Sequence, residues 1–313
     1  MSEITTVLGP IDSSKLGFTL MHEHIFLDAR VDVWLHDRLL ADKELAYQEL
    51  ILYKQAGGTT IVDQTNGGLR GTNILRQRHP LEIQEISRKT GINIILGSGW
   101  YREPYYDKSL WRLKTDEISE QIINEINVGI EGTQIKSGII GEIGAHFNYI
   151  SPVEERVLRA AARAQKKTGL AISTHQGAGI VALDQLDILE EEGVDLRTVI
   201  ISHANINPDH DYHMQIINRG AFVSFEGIGT KNSFESKREM QLIGQIIASG
   251  NIDHLLLSHD VCVKSMYVAY GGGGYEYIPK TWLEMMRQDL SISDEEIDQI
   301  MIYNPQHALK GER

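Results

Sequence analysis

The chain has 313 residues, of which 42% are apolar, and this is enough to bury a sizeable core. It carries 43 Asp and Glu against 30 Lys and Arg, so its net charge is −13. An acidic chain binds nucleic acid or an anionic membrane poorly, and it favours a small-molecule substrate that is neutral or steered by local charges. The sequence fixes no oligomeric state and leaves a homodimer open.

Three features bear on where the protein resides. The single cysteine, Cys262, cannot form an internal disulfide. No apolar run approaches the length that spans a bilayer. The N-terminus lacks the basic flank and apolar segment of a secretory signal. We therefore expect a cytoplasmic protein.

Eight short apolar runs alternate with longer amphipathic stretches. Several runs are nearly continuous in Val and Ile, which is typical of strands buried on both faces of a parallel sheet. The predicted strands cover residues 17–22, 59–63, 93–97, 138–143, 170–175, 198–203, 221–225 and 254–260.

Helix start signals lie between the predicted strands. Ser151-Pro-Val-Glu154 offers an N-cap, a proline in the first turn and a capping-box glutamate, and predicts a helix to residue 167. Asn207-Pro208 and Ser293-Asp-Glu-Glu predict two more helix starts. The alternation predicts parallel βα units in one domain over residues 1–313, a single (β/α)₈ TIM barrel. A doubly wound open sheet would give similar local signals.

Polar side chains at the strand ends favour the barrel, because the active site of a parallel barrel lies at the C-terminal ends of its strands. The first predicted strand ends in His22-Glu23-His24. Strand side chains alternate, so His22 and His24 point the same way and Glu23 points the other way. Four later predicted strands also end in a histidine or a carboxylate, namely Glu142, His175, His203 and Asp260.

These six side chains predict a metal centre. Imidazole and carboxylate are ligands that Zn, Mn, Fe and Co accept, and four histidines with two carboxylates can hold two ions with positions left for water. Any one histidine alone would be explained better as a core or capping residue. The repetition at five strand ends favours metal binding, and we expect two divalent ions, zinc first and Mn, Co or Fe as alternatives.

The sequence also resembles a known family. The segment Gly17-Phe-Thr-Leu-Met-His-Glu-His-Ile resembles the opening of the phosphotriesterase family within the amidohydrolase superfamily. The resemblance covers essentially the whole chain in order. It continues through Gly141-Glu-Ile-Gly, Ile172-Ser-Thr-His-Gln, Ile201-Ser-His-Ala, Phe225-Glu-Gly-Ile-Gly, Leu257-Ser-His-Asp and Asn304-Pro305.

The resemblance implies a ligand assignment and a bridging hydroxide. The more buried metal would be held by His22, His24 and Asp260, and the more exposed one by His175 and His203. Many members bridge the metals with a carboxylated lysine, whereas this chain presents Glu142, as some phosphotriesterase homology proteins do. This departure puts transfer of organophosphate activity in doubt.

Catalytic and substrate-binding residues are also implied. The metals would lower the pKa of a bridging water, and Asp260 would take its proton. Tyr101 resembles the position from which lactonases of the family direct a phenol at the metals; a packed aromatic side chain is the alternative. Lys231, Lys264 and Tyr267 resemble the groups that hold the phosphate of phosphorylated sugar lactones; ordinary surface lysines are the alternative.

Two neighbours of Asp260 are predicted separately. His259 alternates with Asp260 and is expected to point away from the metals, into a structural hydrogen bond. Cys262 lies just beyond the site, where it either touches a substrate or serves as a small apolar residue.

Three hypotheses for function remain open. The leading one is a lactonase that opens a sugar lactone, phosphorylated or not, by attack of a metal-bridging hydroxide. The second is a phosphotriesterase or another phosphoester or amide hydrolase. The third is a non-catalytic metal-binding receptor or sensor, against which Asp260 argues, because a binding module needs no proton acceptor.

Overall fold

Eight parallel strands form the centre of the computed structural model, which describes residues 3–71, 74–146, 148–177, 179–229 and 233–310. In chain order the strands are β1 Glu3–Thr6, β2 Gly9–Asp12, β3 Thr19–Glu23, β4 Leu27–Asp28, β5 Leu39–Leu40, β6 Thr60–Asp63, β7 Asn93–Ser98, β8 Ile139–Ala145, β9 Ile172–Gln176, β10 Val199–Ile201, β11 Phe222–Phe225 and β12 Leu255–Leu257. The central sheet follows the chain, from β3 through β6 to β12. All of its pairs are parallel.

The first and last strands of this sheet meet. The backbone N–H of Asp260 donates to the carbonyl oxygen of His22 at 3.1 Å, and the N–H of His22 donates to Ser258 Oγ at 3.0 Å. The sheet therefore curls into a nearly closed barrel with helices between its strands. The predicted (β/α)₈ barrel is confirmed over the open-sheet alternative.

Helices follow the strands around the outside. They are α1 Lys43–Gln55, α2 Ile74–Thr90, α3 Thr115–Asn127, α4 Pro152–Thr168, α5 Ala182–Glu191, α6 His210–Asn218, α7 Ser233–Ala248, α8 Leu283–Leu290, α9 Asp294–Asp298 and α10 Asn304–Lys310. No described helix has both the length and the apolar character needed to cross a membrane.

Two of the three predicted helix starts are confirmed by their caps. Ser151 and Glu154 form the predicted capping box of α4, and Ser293 forms one with Glu296 at α9. The third prediction is two residues early. Asp209, not Asn207, caps α6, because its carboxylate accepts the N–H of Asp211 at 3.0 Å.

All eight predicted barrel strands are present, and their predicted ends differ from the observed ones by three residues at most. The last is shorter than predicted, because β12 ends at Leu257 and Asp260 adopts a left-handed backbone with φ 55°. Two short pairs were not predicted. These are the antiparallel hairpin of β1 with β2 and the two-residue pairing of β4 with β5.

The barrel interior is apolar and closed at its N-terminal end. One separate buried cluster contains a side chain from nearly every barrel strand together with residues of the N-terminal segment and α10. Its members are Ile4, Leu16, Met21, Val62, Ile95, Ile139, Ala171, Ile200, Phe222, Leu256, Ala308 and Leu309. The buried histidines His22, His175 and His203 lie at or near the opposite, C-terminal ends of their strands.

Candidate metal centre

Glu142, at the end of β8, lies among four imidazoles. Its Oε1 is 3.4 Å from His24 Nε2. Its Oε2 is 3.5 Å from His22 Nε2, 2.8 Å from His175 Nδ1 and 3.9 Å from His203 Nε2. The two carboxylate oxygens therefore face different histidines, an arrangement that suits a ligand placed between two ions.

Asp260 completes one side of this cluster. Its Oδ1 is 3.2 Å from His24 Nε2 and 3.8 Å from His22 Nε2. Its side chain is 22% exposed, whereas that of Glu142 is 3% exposed. Asp260 is thus the carboxylate of the pair that faces the opening of the site.

Each histidine is held from behind through one ring nitrogen. His22 Nδ1 lies 3.2 Å from Ser202 Oγ, and His24 Nδ1 lies 2.8 Å from Thr65 Oγ1. The other nitrogen of both rings, Nε2, faces Glu142 and Asp260. Partners of this kind orient metal-binding imidazoles and fix their tautomers.

The other two histidines follow the same arrangement. His175 Nε2 contacts the hydroxyl of Tyr101 at 3.0 Å, while its Nδ1 faces Glu142. His203 Nδ1 lies 3.6 Å from Glu226 Oε2, while its Nε2 faces Glu142. All four rings therefore present one nitrogen to the same small volume.

This donor set fits divalent cations. Ligand atoms of His22, His24 and Asp260 lie within 4.8 Å of one another, and so do those of His22, Glu142 and His203. Among the described residues, the buried Nε2 of His22 has no hydrogen-bond partner. A buried polar atom without a partner is costly, and a bound ion would satisfy it.

The buried charges favour a cation as well. Burial disfavours the charged form of His22, but Glu142, Glu226 and Asp260 outweigh it and raise its pKa to about 10. Burial raises the pKa of Glu142, yet the adjacent His175 and His22 hold it well below its usual value. Glu142 and Asp260, whose pKa values are lowered, stay ionised around one small volume and create the negative potential that attracts a metal ion.

His203 behaves differently from His22. Burial and the repulsion of His175 lower its pKa to about 3, despite the attraction of Asp260 and Glu142. A neutral imidazole is the form that binds a metal. His203 therefore needs to lose no proton before it can do so.

Sequence analysis gave Glu226 no role, although it follows β11 directly. The side chain is buried, with Oε1 3.7 Å from His22 Nδ1 and Oε2 3.6 Å from His203 Nδ1. Its Oε2 also accepts the backbone N–H of His203. Burial raises its pKa to about 7. Its place at a strand end was the signal available in the sequence.

The backbone around the site is unusual at three points. His203 and Asp260 have φ values of 56° and 55°, in the left-handed region that costs non-glycine residues roughly 1 to 3 kcal/mol each. Gly97 of β7 passes so close to β8 that a side chain there would overlap the carbonyl oxygen of Gly141, next to Glu142. The packing of the strand ends fixes the directions of the ligands.

A cavity of about 60 Å³ opens above the ligands. Its wall is partly apolar, with Leu27, Ala29, Leu69, Tyr105 and Cys262, and partly polar, with Asp32, Arg38 and Tyr101. Cys262 does line the cavity, and burial raises the pKa of its thiol, so it is a neutral, small side chain there. Sequence analysis identified neither Asp32 nor Arg38.

The remaining predicted site residues are placed as follows. Tyr101 lines the cavity, but Lys264 and Tyr267 are not among the described residues that line it. Tyr267 is 2% exposed, and its hydroxyl is 3.5 Å from both the carbonyl oxygen of Ile25 and the hydroxyl of Tyr275. Its ring is packed into the core, so its placement does not support the predicted phosphate contact. Lys231 lies outside the described residues.

His259 takes the predicted structural role. Its Nδ1 contacts Glu23 Oε1 at 2.9 Å, and its Nε2 accepts the N–H of Ile278. Glu23 also accepts from Ser258 and Val261, so this carboxylate joins the end of β3 to the segment after β12. Glu23 points away from the ligands, as the alternation predicts.

The fold and the site define a (β/α)₈ barrel with a candidate metal centre at the C-terminal ends of its strands. The chain belongs to the phosphotriesterase family, whose model matches residues 2–309. This confirms the family resemblance of the sequence.

Three similar proteins illustrate the family. The chain is 30% identical to a phosphotriesterase homology protein of Escherichia coli, over 92% of this chain and 96% of that protein. It is 28% identical to an N-acetyltaurine hydrolase of Dictyostelium discoideum, over 99% and 98% of the two chains. The crystal structure of the lactonase Lmo2620 from Listeria monocytogenes superimposes with a TM-score of 0.91 at 31% identity and covers 100% of both chains. Relatives are thus named as hydrolases of more than one bond type.

Proposed function

We propose that this protein is a metal-dependent hydrolase with two divalent ions, and that a lactone is its leading substrate class. The observation that carries this proposal is the position of Glu142, which lies among four imidazoles while Asp260 faces the cavity. A structural charge cluster would need neither the shared orientation of the rings nor an opening above them.

The proposed ligands divide between two positions. His22, His24 and Asp260 would hold one ion, His175 and His203 the other, and Glu142 both. When bound, divalent ions polarise a carbonyl group and lower the pKa of water towards neutrality. Zinc is the first candidate for the bound metal. Mn, Co and Fe are alternatives, because all four metals accept nitrogen and oxygen ligands.

Asp260 is the proposed general base. Burial raises the pKa of its carboxyl, but His24, His203 and His22 lower it overall, so the group is ionised at neutral pH. Its partial exposure lets it reach a water molecule in the cavity. It would take the proton as water attacks the substrate carbonyl and return it to the leaving oxygen or nitrogen.

Tyr101 is proposed to hold His175 in place. Burial raises the pKa of its phenol well above 10, so the hydroxyl stays protonated and can donate a hydrogen bond. It contacts the ring nitrogen of His175 that faces away from Glu142. Because the same side chain lines the cavity, it also limits the position of a bound substrate.

Two substrate classes have specific support. A lactone is supported by the whole-length similarity to the Listeria lactonase, and an amide by the similarity to N-acetyltaurine hydrolases.

The test is an assay of purified protein loaded with Zn, Mn or Co against sugar lactones, short N-acyl amides and a phosphotriester. We expect turnover of a lactone or amide that is lost on treatment with a chelator and restored by metal. Asp260→Asn is the matched inactive control, since it removes the base with little change in shape.

If fully metal-loaded protein cleaves only the phosphotriester, the proposed substrate class is wrong. If it cleaves nothing in the panel yet binds these compounds, the receptor hypothesis replaces the hydrolase. Calorimetry with the same compounds measures this binding.

A further inference from the structure

The loop between β4 and β5 carries an arginine into the cavity wall. Leu27 pairs with Leu40 and Asp28 with Leu39. The N–H of Ala29 then donates to the carbonyl oxygen of Arg38 at 2.9 Å. Arg38 thus lies at the closed neck of the loop, where its backbone is held in place next to the site.

Arg38 shares its nearest acid, Asp32, with other donors. Asp32 accepts hydrogen bonds from Arg102 and from the hydroxyl of Tyr105. Arg38 Nη1 is 3.8 Å from Asp32 Oδ2, the same oxygen that Tyr105 already occupies. Arg38 and Arg102 therefore both face Asp32, and Arg38 makes the longer contact with it.

Two other acids near Arg38 in the chain, Asp28 and Asp37, have partners of their own. Asp28 is engaged by Arg30 through two hydrogen bonds, of 2.8 and 2.7 Å. Asp37 accepts from the backbone and hydroxyl of Ser265. A local positive charge in a chain of net charge −13 is a feature that can select a ligand.

Arg38 is also the only Lys or Arg among the described residues that line the cavity. Its side chain is 36% exposed, so the guanidinium is accessible from solvent. The wall beside it is apolar, with Leu27, Leu69 and Cys262. The same cavity is therefore lined by ligands of the candidate metal centre, by a short apolar surface and by a cation.

We propose that Arg38 binds an anionic group of the substrate, a sulfonate, carboxylate or phosphate separated from the scissile bond by a short spacer. This inference rests on the proposed hydrolase function and names the substrate class of the same site. A guanidinium suits such groups, because its N–H donors match two oxygens at once. The substrate would be a small N-acyl amide or lactone with one negative end.

The test compares matched substrates that differ only in the charged end. N-acetyltaurine and N-acetylethanolamine share the acetamide and the two-carbon spacer, and one ends in a sulfonate and the other in a hydroxyl. N-acetyl-β-alanine and N-acetylphosphoethanolamine provide the carboxylate and phosphate, and a sugar lactone with and without phosphate extends the comparison. The metal-loaded protein is expected to prefer the anionic member of each pair that it cleaves.

Arg38→Gln should reduce kcat/KM for the anionic substrate roughly tenfold to hundredfold, mostly through KM, and leave the neutral substrate nearly unchanged. Arg38→Lys should retain part of the preference. Arg30→Gln is the matched control, since it removes a charge from the same loop but from a group engaged by Asp28. It should leave the ratio of anionic to neutral substrate unaltered.

Three outcomes would overturn the proposal. They are equal turnover of charged and neutral substrates by the unmodified protein, equal losses on both in Arg38→Gln, and the same change of ratio in Arg30→Gln. If no compound is cleaved, the hydrolase function fails, and calorimetry with N-acetyltaurine and N-acetylethanolamine decides the anion site. Equal affinities for the two would then overturn it.

Discussion

The two ends of the barrel are filled by opposite kinds of side chain. At the N-terminal end, Ile4 and Leu16 meet Ala308 and Leu309 of α10 in an apolar cluster. At the C-terminal end, carboxylates and imidazoles are buried together. The first end is what burial of apolar surface alone would produce, and the second is not.

The difference shows which residues the fold needs and which the chemistry needs. The arrangement at the C-terminal end has an energetic cost. His203 and Asp260 have left-handed backbone, and the buried Nε2 of His22 has no hydrogen-bond partner among the described residues. Such features are retained where function requires them. Substitutions at the two ends should therefore affect different measurements.

Loss of the central carboxylate should have the largest effect. Glu142→Ala removes the group that faces all four imidazoles, so metal content should fall below two ions per chain and activity by roughly 10⁴-fold or more. Metal analysis with kinetics checks this. Glu154→Gln, at a buried glutamate that caps α4, is the control and should retain its metal. Full activity in Glu142→Ala would contradict the proposed role.

Asp260→Asn should come next. Much of the metal should remain, because five other ligands are intact, while kcat falls by roughly 10²-fold to 10⁴-fold, the span typical of a lost general base. Parallel measurement of metal content and kcat separates the two roles. Loss of both the metal and the fold would show that Asp260 is chiefly structural.

Glu226→Gln should act on the metal rather than on the reaction. The carboxylate lies behind His22 and His203, one histidine from each proposed metal position, and outer partners of this kind are worth roughly 10-fold to 100-fold in metal affinity. Competition with a chelator measures the affinity, and kcat at saturating metal should change little. An unaltered affinity would reduce Glu226 to a packing residue.

The smallest effect on activity is expected at the other end of the barrel. Leu309→Ala deletes a buried side chain and should lower the free energy of unfolding by about 2 to 5 kcal/mol. Metal content and kcat/KM of the folded protein should stay unchanged. Denaturant unfolding of the metal-free protein gives the stability. A matching loss of kcat/KM would show that the two ends are coupled.

The strands, and the clustering of the six proposed ligands at one end of the barrel, could be predicted because both follow simple patterns. Apolar runs mark buried parallel strands, and alternation puts His22 and His24 on one side and Glu23 on the other. Closure of the barrel was favoured by polar residues at several strand ends, since those ends meet at one face. These inferences need only the local sequence and one rule of topology.

The cavity wall could not be predicted in this way. Asp32 and Arg38 lie on a loop between two-residue strands, which have no periodicity to detect. Tyr267 resembled a phosphate-binding residue in the sequence, but its ring is packed into the core. Asn207 resembled a helix cap, yet Asp209 is the better placed acceptor. The cavity wall and the burial of Tyr267 depend on contacts between distant segments, whereas the choice between Asn207 and Asp209 depends on local backbone geometry.

The central claim is that the C-terminal end of the barrel holds two metal ions. The most direct test is elemental analysis of purified protein after reconstitution with zinc and removal of excess metal. We predict two equivalents per chain, with chelation abolishing hydrolysis of the best lactone or amide. Less than one equivalent after reconstitution would contradict the account.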